Sequence, residues 1–235
     1  MTNRRKCYII YIEQNDLKKE LFQILADSHK IIVTNIYDKV FEDYGLKLDK
    51  NKLLWGSIAP DILPKYRLFI RHYKDESLDY IAKEIIKIIF ISRYLEFNNI
   101  LDPISIKVLS RRIGIVSHYL SDYVCLPHAK RWTFKDSMVK HLKYESQLDD
   151  FTKTFDFKDN VIDTNDINIY EDESTDLKSK IKNYINSVVE EYSFKIGFDN
   201  DLNFALSINI KITNFILDTI ADYSEELYSQ LVFEI

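Results

Sequence analysis

The sequence predicts an all-α protein of about eight to ten helices in a single domain that covers residues 1–235. Glycine and proline occur only four times each, whereas an all-β chain needs many of both for its tight turns. Long stretches place apolar residues three or four positions apart, which is the spacing of one face of a helix. A chain of 235 residues is long enough to bury one large core, so a second domain is not required.

The first half of the chain divides into helical blocks separated by a loop. Residues 8–12 (YIIYI) are either a short strand or the apolar beginning of a helix. Apolar residues recur at threes and fours over residues 17–44, which predicts one helix or two that end at Gly45. Residues 47–66 contain two of the four prolines and one glycine, so we predict a loop there. A helix follows over residues 76–94.

Four further helices are predicted in the second half. The apolar spacing favours helices over residues 104–124 and 135–151. Residues 156–176 are rich in Asp and Asn and have no helical period, which indicates a long loop, either a lid or a solvated connection. Two more helices follow, over residues 176–196 and 200–230. The last helix is apolar on nearly all sides, so we predict that it is buried at the centre of the fold.

The charge of the chain is uneven, and it excludes some classes of function. The net charge is −5, with 7 Lys and Arg against 17 Asp and Glu in residues 151–235 and 25 against 20 in residues 1–150. No basic block or stripe is present, so we do not expect nucleic-acid binding. The more positive first part suits a substrate that carries phosphate.

The cysteines and the apolar runs predict the environment of the protein. Cys7 and Cys125 are far apart and too few for a disulfide framework, so both are expected to stay reduced. The apolar run near the N-terminus is about six residues long, which is too short for a signal peptide. Because we find no run of about 20 apolar residues, we expect a cytoplasmic protein with no stable membrane insertion. The oligomeric state is not predicted.

Residues that can carry chemistry are concentrated between His118 and Glu145. His118 and Asp122 are four positions apart, as are His141 and Glu145, and His128 lies between the two pairs. Residues four apart share one face of a helix, where an imidazole and a carboxylate can bind one cation together. Two such pairs with a third histidine between them predict a site for more than one metal ion.

The order of these residues resembles that of the zinc-dependent phospholipase C family. The segments that carry the resemblance are IAPD at 58–61, RHY at 71–73, HYLSDYVCLPHA at 118–129 and HLKYE at 141–145. The resemblance covers about residues 26–150. All five histidines of the chain, His29 included, fall where that family places metal ligands. An all-α fold with a metal cluster in a cleft between helices is therefore implied.

The resemblance also implies roles for individual residues. Asp61 would be the general base that orients or deprotonates water, and Asp122 would bridge two zinc ions. The implied sites are a first zinc at Asp61, His72, His118 and Asp122, a second at His128, His141 and Glu145, and a third at His29 and Asp122. Cys125 lies among these ligands, but the resemblance assigns it no role, so we expect a buried thiol.

Two zinc ions are predicted, and occupancy of a third site is left open. Secreted members of the family complete the third site with the amine and carbonyl of an N-terminal Trp. This sequence begins with Met1 and has no Trp near its start. The third site is therefore expected to be empty, to hold a different ion, or to use a side chain that the sequence does not identify.

The function implied is hydrolysis of a phosphodiester by metal-activated water, with a phospholipid or a small soluble phosphodiester as substrate. Two alternatives stay open. Zinc nucleases and nucleotidases use a similar trinuclear site, although their second pair tends to end in Asp where this chain has Glu145. A structural or ligand-binding protein could also use the two main zinc sites to tie helices together without turnover.

Overall fold

The computed structural model describes residues 27–96, 103–132, 137–169 and 174–222. These residues form nine helices and contain no strand, so the all-α prediction is confirmed for the described part of the chain. The helices are α1 (Asp27–Tyr44), α2 (Lys50–Ile62), α3 (Pro64–Phe69), α4 (Lys74–Glu96), α5 (Pro103–Tyr123), α6 (Leu126–Ala129), α7 (Met138–Thr152), α8 (Leu177–Ser193) and α9 (Phe198–Asp222). The predictions for residues 8–12, 17–26 and 223–230 lie outside the described residues.

Helix α1 ends just before Gly45, whose backbone conformation and hydrogen bond account for the stop. Gly45 has a φ of 65°, which a residue without a side chain adopts at little cost. Its backbone N–H donates to the carbonyl of Phe41 at 3.0 Å and closes the last turn of the helix. The predicted stop at Gly45 is confirmed.

The prediction of a loop over residues 47–66 is wrong, because most of this segment is helical. The side chain of Asp49 accepts a hydrogen bond from the backbone N–H of Lys52 at 2.9 Å and caps the first turn of α2. Pro60 lies inside α2, where it removes one backbone donor, but it is buried against the core together with Leu53. Pro64 occupies the first turn of α3, where its missing N–H has no partner to lose.

Two helices form the centre of the fold. Residues 201–210 of α9 are all buried, which confirms the predicted central helix. Residues 113–123 of α5 are also all buried, and this helix carries the first predicted His–carboxylate pair. Among the described helices, the stretch Phe198–Ala221 is long and apolar enough to cross a membrane, but 78% of its apolar window is buried inside the fold.

Helices α2 and α5 approach each other closely at two glycines. A Cβ atom on Gly114 would overlap the carbonyl oxygen of Leu53 and lie 2.9 Å from the Cα of Gly56. Only glycine allows two backbones this near. The contact places the carboxyl-terminal part of α2, which carries Asp61, directly beside His118 on α5.

The long loop before α8 packs on that helix. Residues 153–169 and 174–176 contain no helix, as predicted for residues 156–176. The carboxylate of Glu191 accepts hydrogen bonds from the backbone N–H groups of Asp163 and Thr164 and from the Thr164 hydroxyl. The described part of this loop is therefore anchored to α8 by its backbone.

Candidate metal centre

All eight residues predicted to bind metal lie in one cluster. They come from five helices and one connection. His29 lies on α1, Asp61 on α2, His72 between α3 and α4, His118 and Asp122 on α5, His128 on α6, and His141 and Glu145 on α7. Three groups of these residues have ligand atoms within 4.8 Å of one another.

The first group combines Asp61, His72 and His118 with Asp122 beside them. The Asp122 Oδ2 atom lies 2.7 Å from His72 Nδ1 and 3.3 Å from His118 Nε2. The Asp61 Oδ1 atom lies 3.8 Å and 3.6 Å from the same two nitrogens. The two imidazole nitrogens are themselves only 3.1 Å apart. Four ligand atoms therefore converge on one small volume.

The second group surrounds Glu145. Its Oε1 atom lies 2.6 Å from His141 Nε2, which is one helical turn earlier on α7. The same oxygen lies 3.1 Å from His128 Nε2 on α6. The spacing of four residues on α7 thus gives the pairing that the sequence predicted.

The third group consists of His29, His118 and Asp122, and it shares His118 with the first. The Asp122 Oδ1 atom lies 3.4 Å from His29 Nε2 and 3.7 Å from His128 Nε2. The rings of His29 and His118 stack with their centroids 4.2 Å apart. One carboxylate therefore contacts histidines of all three groups, which is the geometry of a bridging residue.

The protonation of two histidines follows from their outer hydrogen bonds. His118 Nδ1 lies 2.7 Å from the carbonyl of Ser57, and His141 Nδ1 lies 3.1 Å from the carbonyl of Trp132. A carbonyl oxygen only accepts, so each Nδ1 must carry the hydrogen, and Nε2 of the neutral ring has a lone pair. That lone pair faces a carboxylate oxygen, which is also an acceptor. Both contacts therefore require a cation or a proton between the two atoms.

The histidines of the cluster lower the pKa values of two of its carboxylates. Burial would raise the pKa of Asp122, but the neighbouring His128 and His118 hold that pKa well below its ordinary value. Burial would likewise raise the pKa of Glu145, but its hydrogen bonds to His128 and His141 lower it to about 2. Both carboxylates therefore remain ionised, as metal ligands must be.

The pKa values of the two histidines beside Glu145 are raised. Burial lowers the pKa of His128, but the charges of Asp122 and Glu145 raise it by more. Burial also lowers the pKa of His141, and its hydrogen bond to Glu145 again outweighs this effect. The negative charge of the two carboxylates therefore favours positive charge at this site.

The donor atoms fit zinc. Imidazole nitrogen and carboxylate oxygen are ordinary zinc ligands, and three or four protein ligands leave room for water or phosphate. Tetrahedral bonds of about 2.0–2.2 Å place two ligand atoms on one ion roughly 3.3 Å apart. The contacts of Asp122 with the histidines, from 2.7 to 3.7 Å, fall on both sides of this value, and those of Glu145, at 2.6 and 3.1 Å, are shorter. Cys125 belongs to none of the three groups, and its thiol is buried, as predicted.

Two buried carboxylates support the cluster, and the sequence did not single them out. Asp149 is 1% exposed, and its Oδ1 atom accepts the backbone N–H of Ser28, next to His29, at 2.9 Å. Burial raises the pKa of this carboxyl group. Asp149 lies four residues after Glu145, so extending the His141–Glu145 spacing by one turn could have identified it.

The second supporting carboxylate is Asp201 on α9. It accepts the backbone N–H of Leu126 at 3.1 Å and the hydroxyl groups of Tyr144 at 2.8 Å and Tyr192 at 2.6 Å. It thereby fixes the beginning of α6, which carries His128, and the part of α7 next to Glu145. The only sequence signal was an acidic residue at the beginning of an otherwise apolar helix.

The comparisons with known proteins agree with this geometry. The sequence model described as zinc dependent phospholipase C matches residues 28–198, which is well over half of the chain and includes all eight clustered residues. The chain belongs to this family. Neither the curated proteins nor the solved structures contain a match to it. Membership implies a zinc-dependent phosphodiester hydrolase with a phospholipid as its class of substrate.

Proposed function

We propose that this protein hydrolyses a phospholipid at the phosphodiester bond on the glycerol side, using zinc held by the clustered residues. The observation that carries the proposal is the 2.6 Å contact between His141 Nε2 and Glu145 Oε1. The outer hydrogen bond of His141 to the Trp132 carbonyl leaves a lone pair on Nε2, so the contact joins two acceptors and calls for a proton or a metal ion between them, and the family of the chain favours zinc.

The proposed ligands follow the three groups. Asp122 would bridge two ions, because its Oδ2 atom lies beside His72 of the first group and its Oδ1 atom lies beside His29 of the third. The proposed assignment is Asp61, His72, His118 and Asp122 for a first zinc, His128, His141 and Glu145 for a second, and His29 with Asp122 for a third. The first two groups supply three or four side chains each, and we propose that they bind zinc more tightly than the third.

Zinc at these positions would polarise the phosphate oxygens and lower the pKa of a bound water to about 7. Asp61 is the residue of the cluster best placed to act on that water, because its side chain is 31% exposed and reaches both the cluster and solvent. We assign it the role of general base. Hydrolysis then forms a bond between the water oxygen and phosphorus and breaks the bond from phosphorus to the glycerol oxygen. Asp61 takes the water proton, and solvent returns a proton to the glycerol oxygen.

The buried residues hold their positions through the reaction. Asp122, with a side chain that is 5% exposed, keeps its contacts to the histidines away from solvent. The Ser57 and Trp132 carbonyls fix the rings of His118 and His141, so these rings do not turn away when substrate enters. The cytoplasmic location inferred from the sequence stays a prediction.

The test is metal content and turnover on untagged protein, with Glu145→Gln and Asp150→Asn as a matched pair on α7. Asp150 is 73% exposed and pairs only with Lys153 among the described residues, so its variant controls for the loss of a charge. We expect two or three zinc ions per chain, release of diacylglycerol from phosphatidylcholine, and loss of zinc and turnover in Glu145→Gln alone.

Four results would contradict the proposal. Wild-type protein that contains no zinc, or a Glu145→Gln variant that keeps full turnover, would contradict the metal assignment. Zinc-loaded protein that cleaves a single-stranded oligonucleotide but no phospholipid would replace the phospholipase activity with that of a zinc nuclease. Filled zinc sites without turnover on any phosphodiester would indicate a structural role.

A further inference from the structure

Residues 62–71 form an exposed apolar surface between two members of the first metal group. We name them the rim segment, because they connect Asp61 on α2 to His72 before α4. Leu68 is 69% exposed and Phe69 is 81% exposed, and Ile62 is 44% exposed. A single large apolar side chain with such an exposure is common on a protein surface. Three of them on one ten-residue segment beside the metal cluster indicate an interaction surface.

The rim segment is held in place by contacts with the core. Tyr66 is 6% exposed and anchors α3 in the core. The backbone N–H of Ile70 donates to the carbonyl of Tyr66 at 2.9 Å. The hydroxyl of Tyr119, on α5, donates to the carbonyl of Ile70 at 3.4 Å. Leu68 and Phe69 therefore project from a fixed turn whose two ends are joined to the metal cluster.

The charge of the segment is opposite to that of the whole chain. The rim segment has three Lys or Arg and no Asp or Glu, whereas the net charge of the chain is −5. Lys65, Arg67 and Arg71 are exposed. Within the described residues, neither Lys65 nor Arg71 forms an ion pair. A surface that combines exposed apolar and cationic groups matches the edge of a bilayer, where acyl chains lie below phosphate groups.

We propose that the rim segment docks on a phospholipid bilayer, with Leu68 and Phe69 entering the apolar boundary and the cationic side chains contacting lipid phosphates. The proposal rests on the proposed function, and it specifies the physical form of the substrate as lipid in a membrane. Docking at this segment brings the phosphate layer to the level of Asp61 and His72. The contact is peripheral and reversible, because only a few side chains enter the boundary.

The test compares a double variant of the rim, Leu68→Ser with Phe69→Ser, with Phe194→Ser as its control. Phe194 follows the end of α8 and is 82% exposed, so it matches Phe69 in residue type and in exposure. Full-length protein is sedimented with vesicles of phosphatidylcholine and with vesicles that also contain phosphatidylserine. Hydrolysis of the vesicles and of a soluble, monomeric phosphodiester is measured in parallel.

We expect the rim variant to bind vesicles at least about 10-fold more weakly, from the burial of two large apolar side chains. Its hydrolysis of vesicles should fall by a larger factor than its hydrolysis of the soluble phosphodiester. The Phe194→Ser protein should match the wild type in both assays. Wild-type binding should increase with phosphatidylserine and weaken with salt, and Lys65→Glu with Arg71→Glu should remove that increase.

Equal vesicle binding by the rim variant and the wild type would overturn the proposal and leave a protein partner as the use of this surface. An equal loss on vesicles and on the soluble substrate would also overturn it, because the segment would then act only through the metal cluster. Failure of the proposed function is recognised separately. In that case the wild type hydrolyses no phosphodiester, while the vesicle sedimentation still reports whether the rim binds lipid.

Discussion

The inner and outer sides of the metal cluster are built differently. On the inner side, His118 and Asp122 lie on α5 with side chains that are 1% and 5% exposed. On the outer side, Asp61 and His72 lie at the two ends of the rim segment with side chains that are 31% and 20% exposed. The inner residues belong to the rigid centre of the fold, and the outer residues belong to its surface.

The difference separates two tasks that a metal hydrolase must perform. A buried carboxylate is costly unless opposite charge surrounds it, so Asp122 is stable only with its histidines or a metal ion beside it. Such a residue is suited to holding ions in fixed positions. A partly exposed carboxylate such as Asp61 is accessible to water and to substrate, which suits the role of general base that we propose for it. Under the proposed function, the inner side supplies geometry, and the outer side supplies reactivity and access.

The largest effect is expected from Asp122→Asn. The amide has the shape of the carboxylate but lacks its charge, and Asp122 contacts histidines of all three groups. We expect loss of zinc from more than one site and loss of measurable hydrolysis, read by elemental analysis and by diacylglycerol release. Zinc content equal to that of the wild type would show that the inner side does not hold the ions.

The next effect in size is expected from Asp61→Asn. If the outer side supplies reactivity, this variant should lose about 10²–10⁴-fold in turnover, which is the usual contribution of a general base. It should retain at least the zinc of the second group, to which Asp61 does not belong. The rate should be compared with that of Asp75→Asn, an exposed carboxylate at the beginning of α4. Equal rates for the two variants would remove Asp61 from the reaction.

The inner side was largely predictable from the sequence, because its residues follow helical spacing. His118 and Asp122 lie four apart on a helix whose apolar positions recur at threes and fours, and this pattern predicted both the helix and the shared face. The pair on α7 follows the same rule. Their assembly with His29, Asp61 and His72 depends on long-range packing, and here the order of residues in the family provided the expectation.

The outer side was less predictable, because local sequence signals were misleading there. Pro60 and Pro64 indicate a loop, but burial of α2 against α5 outweighs the hydrogen bond that Pro60 removes. The support from Asp201 was also missed, since its three partners come from α6, α7 and α8. No local pattern encodes contacts of that kind.

The smallest effect is expected at the junction of the two sides, where Gly114 meets Gly56. A methyl group on Gly114 overlaps the Leu53 carbonyl, so Gly114→Ala must push α2 away from α5. We expect a loss of about 1–3 kcal/mol in the free energy of unfolding, which is typical of overpacking. Because the Ser57 carbonyl then moves away from His118, zinc affinity should fall as well, by about 10–100-fold.

Gly45→Ala is the control for this last variant. Gly45 has a positive φ but nothing within 4 Å of an added Cβ, so alanine there strains the backbone of α1 without moving α2. Its cost should be about 1–2 kcal/mol, measured by denaturant unfolding of the zinc-free proteins. If both variants lose stability but only Gly114→Ala loses zinc affinity, the close approach of α2 and α5 holds the outer side of the cluster against the inner side. If both keep the zinc affinity of the wild type, the two sides are positioned independently of this contact.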